Sequence, residues 1–183
     1  MIAATLTKAQ KNLPQLVNDV NYGYSPVIIV NDDGKNAVLI SEEYWNSIQE
    51  TMYLYSIPGM VESIIEAGKE PLSEYTTYDP NEEWKMYLVE LSKQAMKDRK
   101  NLKSAGLEKK AKSLLQILAV NPFQNPPPFE ILTRELRGNF SRRLNSQHRL
   151  VYDVIENSEN LLSQDGTPYD GIVRVKRMWT HYE

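Results

Sequence analysis

The sequence of 183 residues contains no cysteine and only two histidines, His148 and His181. The first absence excludes disulfides, thiolate nucleophiles and thiolate metal sites, and it suits a reducing cytoplasm. The second excludes a multi-histidine metal centre. No apolar run approaches the roughly 18 residues that cross a bilayer, and no basic stretch leads into an apolar one at the start, so neither a membrane partner nor a targeting segment is expected. Arginine is missing from residues 1–83, where four lysines stand against thirteen Asp/Glu, a net charge of −9. Residues 84–183 carry seventeen Lys/Arg against eleven Asp/Glu, a net of +6. The length suits two small domains, and the charge divides near its middle, so an acidic module beside a basic, nucleic-acid-facing one is expected.

Thr7 and Gln10 have capping-box spacing, which predicts a helix from about Lys8. Ala9, Leu13, Leu16, Val17 and Val20 then form one buried face, Pro14 bends the helix, and Gly23 stops it. Val27–Val30 and Ala37–Ile40 flank the turn Asn31-Asp32-Asp33-Gly34 and read as a hairpin. Ser41 caps a helix over about 42–55, and Met60–Ala67 forms a short third helix ended by Gly68. The polar, proline-marked stretch from Pro71 to Glu83 reads as a connector or arm outside any core. A strand over 85–91 follows, then a helix capped by Ser92 and another over about 107–120. Pro126-Pro127-Pro128 makes a stiff extended segment. Strands near 139–145, 148–156 and 171–180 complete a mainly antiparallel sheet, and the fold class is α+β.

The residues left for chemistry are carboxylates, arginines, tyrosines and the two imidazoles. They suit transesterification of RNA by its own 2′-OH, which needs a base, a cation on the non-bridging oxygens and an acid for the leaving oxygen. The basic half offers Glu130 after the prolines, Arg142 and Arg143 beside Phe140, Arg149 in His148-Arg149-Leu150-Val151-Tyr152, and His181-Tyr182 at the end. Strand alternation sets Arg149, Val151 and Asp153 on one face and His148, Leu150 and Tyr152 on the other. Each residue also has a plain reading as a solvated charge or an end residue.

Asn121-Pro122-Phe123, Phe129-Glu130-Ile131-Leu132, Leu136-Arg137-Gly138, Ser141-Arg142-Arg143, His148 to Tyr152 and His181-Tyr182 occur in this order. On these motifs residues 84–183 resemble the YoeB/Txe branch of the RelE-like toxin superfamily, ribosome-dependent mRNA endonucleases. The resemblance implies Glu130 as general base, Arg149 as the phosphate-holding cation, His181 as general acid and Tyr182 as an orienting or stacking residue. It implies RNA contacts from Arg142 and Arg143, with Arg134 supplying charge near Thr133, where family members can carry a lysine. No cofactor or metal is implied.

Residues 1–75 similarly resemble the Phd/YefM antitoxins, through Ala9–Leu13, Pro26–Ile40, Ser41-Glu42-Glu43-Tyr44, Glu50-Thr51 and Tyr53-Leu54. This implies a helix–hairpin–helix layer that dimerises and contacts operator DNA, and an arm over about 51–78 that covers the toxin. Glu62, Glu66, Glu70 and Glu74 of that arm would meet the basic RNA groove. Gln10 and Asn31 stand where the family places DNA-contacting arginines, so operator contact is expected to be weak and to rest on Lys8, Lys11 and Lys35. The expected domains are 1–55 for dimerisation and DNA, 56–83 for arm and connector, and 84–183 for the toxin. The expected function is a self-inhibited, cytoplasmic toxin–antitoxin fusion. It forms a homodimer through its N-terminal half and meets the ribosome and mRNA when released. The alternatives are a DNA-binding autorepressor and a catalytically silent dimeric antidote.

Overall fold

The computed structural model describes residues 2–23, 25–78 and 86–179. Packing divides the chain into two compact units, Met1–Gln49 and Glu50–Glu183. The first holds strand β1 (Ile2–Thr5), helix α1 (Leu6–Tyr22), strands β2 (Val27–Val30) and β3 (Ala37–Leu39), and most of helix α2 (Glu42–Tyr55). The expected hairpin is present, with Gly34 at φ 75 closing its turn, where a side chain would be strained. Ser41 caps α2, its hydroxyl accepting from the Tyr44 amide at 3.1 Å.

Two expectations for α1 are corrected. The helix starts two residues early, capped by Thr5, whose hydroxyl accepts from the Lys8 amide. Residues 2–5, without a sequence signal, become a strand by pairing in parallel with β2. The apolar face is also split: Ala9, Leu16 and Val20 are buried, whereas Leu13 and Val17 are exposed at 48% and 41%. The helix departs from helical angles at Asn12, two residues before Pro14, which has no amide hydrogen to give the preceding turn.

The second unit is a six-stranded sheet in the order β4-β5-β9-β8-β7-β6. Its members are β4 (Thr76–Tyr78), β5 (Tyr87–Leu91), β6 (Glu130–Ile131), β7 (Asn139–Arg143), β8 (Arg149–Ile155) and β9 (Gly171–Arg177). Only β5 and β9 run parallel; all other neighbours are antiparallel. Helices α4 (Lys93–Ser104) and α5 (Glu108–Val120) cover one face, joining Leu102, Leu114, Leu115 and Leu118 to Leu150, Tyr152, Val173 and Val175. The other face is covered by the end of α2 and by α3 (Met60–Lys69). There Leu54, Met60, Val61 and Ile64 pack on Leu132, Leu136 and Val151. Full burial of Leu54, Met60 and Ile64 is worth roughly 1.5–3 kcal/mol each. The alternation read along β8 therefore holds: Leu150 and Tyr152 face one layer, Val151 the other.

Residues 71–78, expected as a connector or arm outside any core, join the sheet. Thr76–Tyr78 forms an edge strand on β5, and Tyr78 enters the main core. The strand exists because β5 offers an unpaired edge, a reason that local composition does not carry. The triple proline does not run straight either; residues 125–127 bend. The start of the strand expected at Lys85, the connector Asp79–Glu83, and the pair His181-Tyr182 lie outside the described residues.

Candidate active site

Cross-strand register assembles a polar group on the α3-covered face. Glu130 on β6 lies opposite Ser141 on β7, Ser141 lies opposite Val151 on β8, and Arg143 lies opposite Arg149. Directly opposed residues share a face with Cβ atoms about 5 Å apart. Two arginines are thus set side by side, which is unfavourable unless an anion lies between them.

That anion is Glu50. Its Oε1 accepts from Arg149 Nε at 2.7 Å and from the Ser141 hydroxyl at 2.7 Å, and its Oε2 lies 3.9 Å from an Arg143 guanidinium nitrogen. The Glu50 and Arg149 side chains are only 2% and 5% exposed, so this is a buried ion pair. Arg149 Nη1 lies 3.0–3.3 Å from the carbonyls of Asn145, Ser146 and His148 and donates among them. The Tyr53 ring lies over the guanidinium, 4.5 Å from its centroid, and the Tyr53 hydroxyl donates to the Gln147 carbonyl at 2.6 Å. One turn of α2 thus caps Arg149 with a carboxylate and an aromatic face. Thr51 adds a bond, accepting from the Thr133 amide at 2.9 Å.

Residues 1–74 match the family model of the Phd/YefM antitoxins of type II toxin–antitoxin systems, and residues 91–165 match that of the YoeB-like toxins of such systems. Over 70 residues the chain is 41% identical to the antitoxin YefM of Synechocystis sp., covering 38% of this chain and 80% of that one. It is 35% identical over 86 residues to the antitoxin YefM of Streptomyces coelicolor, covering 45% and 98%. The chain is a Phd/YefM antitoxin fused to a YoeB-like toxin. Among solved structures, the YoeB–YefM complex from Staphylococcus aureus aligns at 25% identity over 52% of this chain and 98% of that one, with a TM-score of 0.39. No described helix of the fusion is long and apolar enough to cross a membrane.

Antitoxin residues 50–78 and the toxin strands belong to one compact unit. The carboxylate that pairs with Arg149 is nevertheless not one of the four expected. Glu66 pairs with Lys69 of its own helix, Glu74 pairs with Lys93 at 2.6 Å, and Glu70 accepts from the Lys93 amide at 3.3 Å. The carboxylate that meets Arg149 and Ser141 is Glu50, one residue before the expected start of the arm. An acid in the second half of an amphipathic helix reads as solvated, and only its place in the Glu50-Thr51 motif marks this one.

Arg142 is also placed differently from the expected RNA contact. It is 1% exposed and donates to the carbonyls of Pro122 and Gln124 at 2.9 and 2.8 Å, to the Pro127 carbonyl, and to the Tyr152 hydroxyl at 3.2 Å. It belongs to the opposite face from Arg143 and ties down the loop that leads into Glu130. Burial pushes the Tyr152 phenol up, and its hydroxyl donates to the Pro122 carbonyl at 2.6 Å. Arg143 and Arg134 are exposed, the latter at φ 54 and beside the Tyr55 ring. Glu130 is half-buried.

The same face holds cations that the sequence reading passed over. Arg174 binds Asp153 at 2.9 Å, and Lys176 reaches Asp153 at 3.0 Å and the Asn139 side chain at 2.7 Å. Burial lowers the Lys176 ammonium, opposed by Asp153. Arg177 pairs with buried Asp98 at 2.8 Å and donates to Ser63 of α3 at 2.8 Å. Asp98 also accepts from the amides of Met178 and Trp179, at 2.9 and 3.1 Å, while Trp179 stacks on His148 at 3.8 Å. These contacts anchor the chain just before Thr180.

Proposed function

We propose that residues 84–183 are a metal-independent endoribonuclease that cuts ribosome-bound mRNA, and that residues 50–78 hold it latent in the intact fusion. The observation that carries this reading is the Arg143–Arg149 pair closed on the Glu50 carboxylate, one strand away from Glu130. A carboxylate there stands in for an RNA phosphate, and the Tyr53 ring stands in for a stacked base. Oriented guanidinium groups that stabilise Glu50 would equally stabilise the charge that develops on phosphate oxygens during transfer.

In the released toxin, Glu130 takes the proton from the 2′-OH, which attacks the adjacent phosphorus. Arg149, with Arg143 beside it, holds the non-bridging oxygens. His181 gives a proton to the departing 5′ oxygen, and Tyr182 orients the site, as the family resemblance implies. Arg142 acts indirectly by fixing the 122–127 loop, and Arg134 adds surface charge. The products are a 2′,3′-cyclic phosphate and a free 5′-OH. The partner in the resting state is a second copy of the chain. Leu6, Leu13 and Val17 leave an exposed apolar stripe on α1 of the kind that marks an interface. Operator contact through exposed Lys8, Lys11 and Lys35 is a weaker function of the same layer.

The test is growth after induction of residues 84–183 alone, beside the full chain. Toxicity confined to the fragment, with 3′ ends of cleaved message carrying cyclic phosphate, is expected. In the fragment, Glu130→Ala or His181→Ala should slow cleavage about 10²–10⁴-fold, and Arg149→Ala about 10²–10³-fold. A soluble, folded and harmless fragment would overturn the reading and leave the silent antidote.

A further inference from the structure

Beneath α3 the sheet carries a row of polar residues where a core would be apolar. Thr77 on β4 lies opposite Glu90 on β5, and Glu90 lies opposite Arg174 on β9. Arg174 lies opposite Asp153 on β8, and Asp153 opposite Asn139 on β7. Directly opposed residues share a face, so the row crosses five of the six strands. Lys176, two residues beyond Arg174, joins it through Asp153 at 3.0 Å and Asn139 at 2.7 Å. Arg149 and Asp153 stand four residues apart on the same face of β8, about 13 Å along the strand.

The row is closed from water. The Lys176, Asp153 and Arg174 side chains are 7%, 11% and 19% exposed. Both cations lean on the one carboxylate of Asp153, which cannot neutralise both, while Glu90 is turned to the Thr77 hydroxyl at 2.6 Å. What lies against the two cations is the C-terminal end of α3. The Gly68 carbonyl accepts from Arg174 at 3.4 Å, and the Tyr75 hydroxyl holds the same turn by donating to the Ala67 carbonyl. Gly68 allows the approach, since a Cβ there would stand 2.9 Å from Lys176 Nζ. A helix C-terminus presents about half a unit of negative charge.

We propose that Arg174 and Lys176 form a second phosphate subsite for the RNA strand, and that the end of α3 occupies it in the intact chain as Glu50 occupies the site at Arg149. That RNA is the ligand rests on the nuclease reading above. A buried ion cluster commonly stabilises a fold no better than packed apolar residues of similar volume. The resting state alone therefore gives no reason for charges here, whereas an uncovered face that carries a polyanion does. The separation of about 13 Å is several times the roughly 3.4 Å rise per nucleotide of a stacked strand, which puts the two sites on different phosphates of one strand. Such a contact fixes register and favours longer strands without reading bases. Asp153 and Asn139 hold the two cations in place for it.

The experiment uses the full-length chain carrying Glu50→Ala and Gly68→Val, which weaken the cover at both points. Two 2′-O-methyl RNAs, which cannot be cut, compete with a fluorescent strand: a dinucleotide with a single phosphate and a strand of about 10 nucleotides that spans both sites. Partial opening of the cover divides both affinities by the same factor, so their ratio does not depend on how far α3 has lifted. The long strand is expected to bind at least about tenfold tighter, with a log–log salt slope steeper by about 0.7–1.4, from one or two further phosphates. Adding Lys176→Gln should cut the ratio about five- to tenfold and flatten the long strand's slope by about 0.7. Arg174→Gln should act in the same direction, and Arg174→Lys, which keeps the charge, should restore most of the ratio. Were the two cations only a dock for α3, their loss would tighten both RNAs equally, and an unchanged ratio would overturn the subsite while leaving the nuclease reading in place. Binding of neither RNA would overturn both.

Discussion

At the scale of the residue, the central contact is Glu50 against Arg149. Both side chains are almost fully removed from water, so neither charge can be left alone cheaply. Breaking a buried pair by removing one member commonly costs about 3–5 kcal/mol, because the other stays buried and unpaired. Glu50→Ala in the full chain should lower stability by that order in urea unfolding, and should loosen the cover so that some toxicity appears. Arg149→Ala on top of Glu50→Ala should recover part of the lost stability, as coupled neighbours do, while abolishing the toxicity. Additive stability losses in the double variant would show that the two groups do not depend on each other.

Glu90 gives a second residue-scale prediction with a pH signature. Burial raises its carboxyl above the ordinary 4.5, partly offset by the hydrogen bond from the Thr77 hydroxyl at 2.6 Å. A raised pKa means that the fold binds this proton more tightly than the unfolded chain does. Its stabilising contribution is therefore complete below 4.5 and is lost as pH rises through the raised value. Glu90→Gln keeps an acceptor for Thr77 and removes the buried charge. It should stabilise the protein by roughly 0.5–1 kcal/mol at pH 7–8, part of the penalty being screened by water, and the gain should vanish under acid conditions. A gain that persists unchanged at low pH would mean that charge is not its source.

At the scale of the element, α3 is held to the sheet by close approach as well as by apolar burial. The sequence suggests Gly68 as a helix stop, yet α3 continues to Lys69. A side chain at Gly68 would put its Cβ 2.9 Å from Lys176 Nζ. That ammonium is at the end of a flexible chain, but Asp153 and Asn139 fix it. Gly68→Val should therefore cost about 1–3 kcal/mol as overpacking, seen as faster amide exchange across α3 with the α4–α5 layer unchanged. Equal protection in α3 would show that Lys176 yields freely. The helices and long strands were legible because their periodicity and caps are local: Ser41 and Ser92 mark two helix starts, and the Asp-Gly turn marks the hairpin. Strands β1 and β4 were not legible, since each takes its conformation from a partner strand. Nor was the exposure of Leu13 and Val17, because periodicity shows a face and not what covers it. For the site, the motifs located Glu130, Arg143 and Arg149, but only strand register brings them together. Glu50 belongs to the same group through a fold that spacing does not reveal.

At the scale of the whole molecule, the proposed latency makes the covalent joining of residues 50–78 to the toxin strands a part of the latch. Seven residues, 79–85, link the described end of β4 to Met86, and β4 pairs antiparallel with β5. A short tether of this kind gives an effective inhibitor concentration in the millimolar range, which falls roughly as the −3/2 power of length once the linker is flexible. Inserting about 20 Gly/Ser residues would lengthen it from about 7 to about 27, and so weaken the latch by less than about tenfold. The lengthened full chain should therefore remain harmless in the growth assay. Cutting the same linker makes the cover dissociable, and dilution then acts on an affinity set by contacts such as Glu50–Arg149 and by burial of Leu54, Met60 and Ile64. The cut wild-type chain should be restrained at high expression and toxic only at low expression, whereas the cut Glu50→Ala chain should be toxic at both. If the uncut, lengthened chain were itself toxic, the short connector would be holding the cover in place mechanically, and the packing between α3 and the sheet would be too weak to act alone.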